Sequence, residues 1–461
     1  MLNLSFHGAA GTVTGSKYRL AHGDVSAMID CGQFQGLREL RDRNWQPLPF
    51  DVSKLSSVVL THAHIDHVGY LPRLVKQGFR GPIYCTPATV ELTNITLLDA
   101  AHCQEEEADY ANRKGYSKHK PALPLFDEHD VRKTLKLLTA HDRKEWFGFG
   151  GPFFARFHDA GHLLGSASIE VEVRDRDTPT RLLFSGDVGR YTAPLYHDPQ
   201  PPAACDYLIC ESTYGDRDHP VEATLDQVAD TVNAAYARGG AIVVAAFAIG
   251  RAQQLIYLLR TLKKANRIPD VPIYLDSPMA VDATNIYCAF ADEHDLSESE
   301  LTGPQCVLRG RDVHLCRTAQ ESKALNGIQG PAVIISSSGM MTGGRILHHL
   351  KQRLPDPKNT IVLGGYAAPG TRARQLADGT KFMRLLGHDV PVRAAIARMP
   401  ALSGHADRTE LLRWLAPLAD PKRVFLTHGE PASARALAGT LRETRGWNVE
   451  IPKHGELVEL E

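Results

Sequence analysis

Residues 61–70 read THAHIDHVGY, and this segment restricts the fold more than any other part of the chain. Three imidazoles and one carboxylate fall within six consecutive residues, at His62, His64, Asp66 and His67. Histidine and aspartate at such spacing are typical metal ligands. The preceding KLSSVVL is rich in β-branched residues and predicts a buried strand. We therefore expect a metal site in the loop that follows a strand of a layered α/β fold.

Composition sets the broad class. The chain has 461 residues, 43% hydrophobic and 23% charged, which is ordinary for a soluble globular protein of about two to four domains. The formal charge of -1 excludes a global basic field, so a polyanion must be bound by local charge. Eight cysteines without a Cys-x-x-Cys pair predict reduced, mostly buried thiols. The absence of a basic-apolar leader or a long apolar run favours a cytoplasmic protein without a membrane segment.

The pattern of predicted secondary structure changes near residue 211. From residue 3 to about 206, short β-like runs dominate, with one helical pattern near 128–138, which predicts sheets packed on sheets with helices outside. After about 211 the pattern becomes strand, glycine-rich turn and helix, which is typical of a parallel, doubly wound sheet. The tail then returns to shorter runs. Two kinds of domain are therefore expected.

Four further residues stand where an apolar run meets glycine or small residues: Asp30, His162, Asp187 and His428. Singly, each such residue usually satisfies only local backbone hydrogen bonds. His162, Asp187 and His428 together with the cluster supply five imidazoles and two carboxylates, enough for two divalent ions and suited to zinc. The expected ligands are His62, His64, Asp66, His67, His162, Asp187 and His428. Asp30 is expected to lie outside the set of ligands and to orient one of the ligand imidazoles.

These ordered motifs resemble the metallo-β-lactamase superfamily. They resemble more closely its β-CASP branch, which includes the endonuclease subunit of the eukaryotic pre-mRNA cleavage and polyadenylation machinery. That branch adds an acidic residue in an ESTYG-like stretch, here Glu211, and a histidine in an S-x-H-A-D stretch, here His405. It also has a final histidine before Gly-Glu, here His428. The resemblance covers essentially the whole chain.

The resemblance implies an αββα metallo-β-lactamase sandwich with an inserted α/β β-CASP domain that contains a mainly parallel sheet. The sandwich would comprise residues 1–208 and 396–461, and the insertion residues 209–395. The resemblance also implies a ligand assignment: His62, His64 and His162 to one zinc ion, Asp66, His67 and His428 to the other, with Asp187 between them. Relatives that act on DNA commonly have valine at the last position, so His428 favours RNA.

The chemistry of such a site predicts a hydrolase. Binding to a divalent metal lowers the pKa of water toward about 7, so hydroxide is available at neutral pH to attack a phosphodiester. Asp66 and Asp187 would act through the metals. We expect His405 to be the general acid for the leaving 3′-oxygen, with Glu211 on its other ring nitrogen. The alternative for His405 is a helix-capping role beside Asp407.

Three loops in the insertion expose backbone N–H groups after a strand, in FAIGR, SSSGMMTGGR and GGYAAPGT. Such loops attract phosphates, although glycine turns also simply close strand–helix units. Tyr366 suits either base stacking or packing. The residues expected to contact RNA are Arg251, Ser337, Ser338, Gly339, Arg345, Tyr366, Thr371 and Ser403.

The sequence therefore predicts a two-zinc ribonuclease that uses a metal-bound hydroxide on single-stranded RNA and leaves 5′-phosphate and 3′-hydroxyl ends. Endonucleolytic and 5′–3′ exonucleolytic cutting both stay open, as does homodimerisation. The alternatives are a metallohydrolase of small esters, thioesters or lactams, a diiron oxidoreductase and a non-catalytic RNA-binding scaffold. A small-molecule enzyme has no need of the insertion, and the diiron enzymes usually carry Glu in place of one imidazole of the cluster.

Overall fold

The computed structural model describes residues 1–115, 117, 119–220, 224–302 and 306–461. The chain forms two compact units. The first unit comprises Met1–Thr192, His197–Asp218 and His405–Glu461, so it is built from both ends of the chain. The second comprises Ala193–Tyr196 and His219–Gly404.

Two seven-stranded sheets form the centre of the first unit. One sheet has the order β22-β1-β2-β3-β4-β5-β6, with strands β1 Leu2–Phe6, β2 Tyr18–His22, β3 Val25–Ile29, β4 Leu55–Val59, β5 Ile83–Cys85, β6 Leu138–Ala140 and β22 Leu457–Leu460. The other has the order β21-β20-β11-β10-β9-β8-β7, with strands β7 Phe147–Gly150, β8 Phe153–Asp159, β9 Ala167–Val173, β10 Thr180–Phe184, β11 Tyr207–Glu211, β20 Arg423–Thr427 and β21 Val449–Glu450. Because side chains alternate along a strand, each sheet turns one apolar face inward. Phe6, Ile29, Phe157 and Phe425 belong to the shared core between the sheets.

Helices cover the two outer faces. The helices of this unit are α1 Arg38–Arg43, α2 Ile65–Val68, α3 Leu71–Lys76, α4 Pro87–Lys114, α5 Glu128–Leu135, α13 Arg408–Leu415 and α14 Pro431–Arg445. Leu74 of α3 and Leu97 of α4 pack with Val58 of β4 on one side. Trp414 of α13 and Leu437 of α14 belong to the core on the other side. The order helix, sheet, sheet, helix confirms the predicted αββα sandwich.

The second unit contains a six-stranded sheet of order β14-β13-β15-β12-β16-β19, and every pair in it is parallel. Its strands are β12 Ile242–Ala245, β13 Ile273–Leu275, β14 Val313–Leu315, β15 Val333–Ser336, β16 Thr360–Leu363 and β19 Ala395–Arg398, beside a hairpin of β17 Phe382–Leu385 and β18 His388–Pro391. The helices are α6 Thr224–Ala237, α7 Arg251–Lys264, α8 Pro278–Ala289, α9 Glu298–Leu301, α10 Ala319–Ala324, α11 Ile346–Arg353 and α12 Arg372–Ala377.

Separate apolar clusters lie on the two faces of this sheet. One contains Leu255 and Leu259 of α7, and the other contains Leu350 of α11 and Leu376 of α12. Helices on both faces are the hallmark of a doubly wound fold. The predicted parallel α/β insertion is therefore confirmed. None of the helices in the described ranges is both long and apolar enough to span a bilayer.

The predicted helix near 128–138 is shorter than expected. An Asp127–Asp130 capping box starts α5, but the helix ends at Leu135. Leu138 instead pairs with Ile83 at the edge of the first sheet. Strand pairing with a segment distant in sequence has overridden the local helical pattern.

Candidate metal centre

The seven predicted ligands all lie in the first unit, in the loops that follow its strands or, for Asp66 and His67, in the short helix α2. The histidine cluster follows β4 and runs into α2. His162 follows β8, Asp187 follows β10, and His428 follows β20. All these side chains are buried or nearly so. Loops from four strands therefore converge on one place, as metal sites in layered folds require.

Four donor atoms form a first group. His64 Nδ1 lies 3.1 Å from His62 Nε2 and 3.3 Å from His162 Nε2. Asp187 Oδ2 lies 3.4 Å from His62 Nε2 and 3.5 Å from His162 Nε2. Donors bound to one tetrahedral zinc ion at about 2.0–2.1 Å stand about 3.3 Å apart. The spacing of these four atoms matches that coordination geometry.

A second group consists of Asp66, His67 and His428, and Asp187 lies next to it. His428 Nε2 lies 3.4 Å from both Asp66 Oδ2 and His67 Nε2. Asp187 Oδ1 lies 3.3 Å from His67 Nε2. This buried oxygen accepts no hydrogen bond from any described residue, although imidazole nitrogens surround it. An unsatisfied carboxylate oxygen among nitrogen donors fits a bound cation, so the residues present suit two divalent ions with Asp187 between them.

Burial and neighbouring charge shift the pKa values of these histidines in different directions. Burial lowers the pKa of His64 to about 3 and that of His162 well below its usual value, so both imidazoles are neutral. For His67 burial acts in the same direction, but Asp187 and Asp30 outweigh it and raise the pKa well above the usual value. The negative potential that attracts a proton to His67 also attracts a cation.

His405 and Glu211 lie beside the two groups. His405 Nδ1 is 3.1 Å from Glu211 Oε2 and 3.9 Å from Asp187 Oδ2. Burial opposes a charge on His405, but these two carboxylates raise its pKa to about 9. The cap of α13 is Asp407, whose side chain accepts from the Glu410 backbone N–H at 2.8 Å. His405 is therefore not the capping residue.

Three family models match the chain. They describe the metallo-β-lactamase superfamily over residues 11–220, a β-CASP domain over residues 252–376 and an RNA specificity domain of zinc-dependent metallo-hydrolases over residues 389–452. A ribonuclease of Thermus thermophilus is 38% identical over 454 residues, which cover 97% of this chain and 98% of that one. This chain belongs to the β-CASP branch of the metallo-β-lactamase superfamily.

A second relative agrees with this assignment, and a solved structure agrees with the fold. An RNase J-like protein of Methanocaldococcus jannaschii is 28% identical over 469 residues, which cover 99% of this chain and 100% of that one. A crystal structure of an Enterococcus faecalis protein of unknown function matches over 100% of both chains with a TM-score of 0.51. Its sequence identity is 13%, so it supports the fold alone.

Asp30 lies behind the cluster of this β-CASP protein. Its Oδ2 is 2.7 Å from His67 Nδ1 and accepts from the Thr61 hydroxyl at 2.8 Å. Thr61 Oγ1 is also 3.0 Å from His62 Nδ1. Since a carboxylate can only accept, the single hydroxyl proton of Thr61 goes to Asp30, and Thr61 accepts from His62 Nδ1–H. His62 Nε2 then faces the first group with its lone pair.

Thr213 fixes which ring nitrogen of His428 carries the proton, as Thr61 does for His62. Its hydroxyl lies 2.9 Å from the His428 carbonyl oxygen and 3.1 Å from His428 Nδ1. The carbonyl takes the hydroxyl proton, so Thr213 accepts from Nδ1–H and leaves the Nε2 lone pair for the second group. His428 has a left-handed φ of +45°, a conformation that needs such support. Sequence reasoning missed Thr61 and Thr213, although both stand inside the motifs THAHIDH and ESTYG.

The residues expected to contact RNA lie in the second unit, mostly at the carboxyl ends of β12, β15 and β16. Arg251 is buried, donates to the Leu402 carbonyl at 3.1 Å and lies 5.6 Å from the Tyr196 ring centre. Arg345 donates to Asp276 Oδ1 at 2.8 Å. Both guanidinium groups therefore already have partners within the unit.

The other members have local partners as well. Ser337 Oγ donates to Ser277 Oγ at 2.6 Å, and the hydroxyl of the half-buried Ser338 lies 3.2 Å from the Thr342 hydroxyl. Thr371 caps α12. Gly339 packs so closely on Phe247 that a Cβ atom would stand 2.8 Å from its ring. Tyr366 is half-buried and Ser403 buried.

Sequence reasoning missed Asp276, which follows β13 at the same edge of the sheet. It is fully buried, and besides Arg345 it accepts from Ser322 Oγ at 2.6 Å and lies 2.6 Å from His349 Nε2. These contacts fix the loops after β13 and β15 relative to each other. A lone aspartate in YLDSP has no motif that would have revealed this.

Proposed function

We propose that this β-CASP protein is a zinc-dependent ribonuclease that hydrolyses phosphodiester bonds of single-stranded RNA. The observation that carries the proposal is the pair of adjacent donor groups, His62, His64, His162 and Asp187 in one and Asp66, His67 and His428 in the other, with the His405–Glu211 pair beside them. Relatives named as ribonucleases and the match to an RNA specificity domain support RNA as the substrate.

Two zinc ions suit the donor set. His62, His64 and His162 would hold one, Asp66, His67 and His428 the other, and each would take one oxygen of Asp187. Zinc, when bound, activates water and offsets the charge of a phosphodiester. The chain contributes the orientation of the ligands: Asp30, Thr61 and Thr213 each occupy the second ring nitrogen of a ligand histidine.

His405 supplies the proton for the leaving group. Glu211 Oε1 accepts from the Val188 backbone N–H at 2.6 Å, so the carboxylate is fixed before it meets His405 Nδ1. Glu211 thereby favours the charged imidazolium, whose Nε2–H is the proton that can pass to the 3′-oxygen. Protonation of this oxygen leaves a 3′-hydroxyl, and attack by water leaves the new end with a 5′-phosphate.

The test is incubation of the purified, zinc-loaded protein with end-labelled single-stranded RNA, with and without chelator. We expect cleavage that the chelator abolishes, and losses of about 10²–10⁴-fold in His405→Ala and more in Asp187→Ala. His102→Ala, on the exposed face of α4, is the matched control. Full activity in His405→Ala or Asp187→Ala, or turnover of a chromogenic ester without RNA cleavage, would overturn the proposal.

The same assay, run on circular RNA and on linear RNA with a free 5′ end, distinguishes the two modes of cutting. Internal cleavage degrades a circular RNA, whereas 5′–3′ exonucleolytic cutting leaves a circle intact and releases mononucleotides from a 5′ end. Homodimerisation and a cytoplasmic location stay predictions from the sequence, and light scattering of the purified protein tests the first.

A further inference from the structure

A group of basic side chains in the first unit has no carboxylate partner. We call it the basic cluster; its members are His7, Lys17, Arg19, Arg43 and His454. Within the described ranges none of the five forms an ion pair, and the charged groups that act on the two histidines are all cations. Burial and the neighbouring cations lower the pKa of His7 to about 4, and the pKa of His454 is lowered for the same reasons. Lys17, Arg19 and Arg43 therefore supply the local positive potential, in a chain whose formal charge is only -1.

Aromatic rings hold the cluster together. The guanidinium carbon of Arg19 lies 4.8 Å from the Phe50 ring centre, and that of Arg43 lies 5.7 Å from the Phe34 ring centre. The His7 ring is 5.1 Å from Phe50. Cation–π contacts orient the charges but do not neutralise them. The guanidinium groups therefore keep N–H donors for another ligand.

Two members of the cluster are poorly satisfied within the protein. Lys17 is buried, and among the described residues its ammonium donates only to the Gly15 carbonyl, at 3.3 Å. The ammonium lies 4.4 Å from the Phe34 ring centre. Burial lowers the pKa of Lys17 to about 8. The Nε–H of Arg19 is also buried and has no acceptor in the part of the chain that the structure describes. Binding of an anion to these groups would be strongly favourable, because a cation without a counter-charge in a low-dielectric environment has a high free energy.

The segment from His7 to Lys17 joins the cluster to the metal centre. The carbonyl of Ala9 accepts from the His428 backbone N–H at 2.7 Å. The backbone N–H of Ser16, the residue before Lys17, donates to the Asp66 carbonyl at 2.8 Å. The cluster is therefore anchored to two metal-ligand residues through the backbone. An RNA strand at the metal centre would present its neighbouring phosphates to this region.

We propose that the basic cluster binds backbone phosphates of the RNA strand next to the scissile bond, with Arg19 and Arg43 as its donors. This inference rests on the proposed ribonuclease function and adds a second subsite for the same strand. Trp45, two residues after Arg43, is 50% exposed and offers a face on which a base can stack. Phosphate contacts of this kind strengthen binding without reading sequence.

The test measures RNA binding apart from cleavage. Zinc-loaded protein carrying His405→Ala is titrated into fluorescein-labelled single-stranded RNA at several salt concentrations, and anisotropy gives the Kd. We expect Arg19→Gln and Arg43→Gln each to raise Kd about tenfold and to reduce the slope of log affinity against log salt by about 0.7. Trp45→Ala should raise Kd with the salt slope unchanged.

Two kinds of control keep the result interpretable. Arg38→Gln removes an exposed arginine of α1 that has its own partner, Asp42 at 3.7 Å, and should leave Kd unchanged. Arg19→Lys and Arg43→Lys keep the charge and should retain most of the affinity and the salt slope. Thermal unfolding of every variant shows whether the fold is intact.

Several outcomes would overturn the inference. One is an unchanged Kd and salt slope in both glutamine variants while the parent protein binds and cleaves RNA. Another is equal loss in the lysine and glutamine variants with a lowered Tm, which would show that the arginines serve packing alone. If the zinc-loaded protein with His405 intact neither binds nor cleaves RNA, the proposed function itself fails.

Discussion

Asp187 is the residue on which the metal centre depends most. Its two oxygens lie with different imidazole sets, 3.4 Å from His62 Nε2 and 3.3 Å from His67 Nε2. A carboxylate is needed for this, because an amide offers one oxygen and one nitrogen that cannot accept. The ligand types were predictable from the motifs. The division of Asp187 between the two groups follows the family pattern and stays a prediction until zinc is measured.

A prediction at the scale of single residues concerns the effect of Thr213 on zinc affinity. Thr213→Val removes the acceptor for His428 Nδ1–H at nearly constant volume, so the tautomer that presents Nε2 is no longer enforced. We expect zinc affinity about 10–100-fold weaker, measured by competition with a chromogenic chelator. Thr213→Ser, which keeps the hydroxyl, should have the zinc affinity of the parent protein.

The control for this variant is Thr93→Val. Thr93 is equally buried, but its hydroxyl has no hydrogen-bond partner within the described ranges. The same exchange of hydroxyl for methyl should therefore leave zinc affinity unchanged. Equal weakening in both valine variants, or none in Thr213→Val, would contradict the assigned role.

At the scale of elements, local patterns predicted the type of structure better than its limits. The alternation of strand, glycine turn and helix after residue 211 correctly predicted a parallel sheet. The pattern over 128–138 predicted one helix, whereas Leu138 belongs to β6. Its pairing with Ile83 is long-range and has no local signature. The domain limits at 208/209 and 395/396 stay predictions.

Helix α14 offers a prediction at this scale. Gly439 lies inside the helix, and a Cβ atom there would meet nothing within 4 Å. Gly439→Ala should raise the free energy of unfolding by about 0.5–1 kcal/mol, because alanine loses less backbone entropy in a helix. Urea unfolding followed by circular dichroism measures the change. A lowered midpoint would show that the position is more crowded than the structure indicates.

At the scale of the whole molecule, the chain consists of two compact units, and the candidate metal ligands all belong to one of them. They come from residues 62–187 and from residue 428, so bound metal links the two ends of the chain within the first unit. A ligand that binds only the folded state stabilises it by mass action. Metal should therefore stabilise one unit and not the other.

Calorimetry can test this directly. We expect chelator to lower the Tm of one unfolding transition by several degrees and to leave a second transition in place. Limited proteolysis during heating identifies which unit unfolds first, and the first unit should be the sensitive one. A uniform shift of a single transition would mean that the two units unfold together.

The sequence by itself determined which donor atoms the protein has, their order along the chain and the two kinds of sheet, because these follow from residue chemistry and short-range periodicity. Only the tertiary structure decided that Thr213 reaches His428, that Asp276 joins two loops, and that Arg19 and Arg43 belong to one unpaired basic cluster. Such contacts join residues far apart in the chain. Their distances depend on how strands pair and sheets pack, and no local pattern of residues records that.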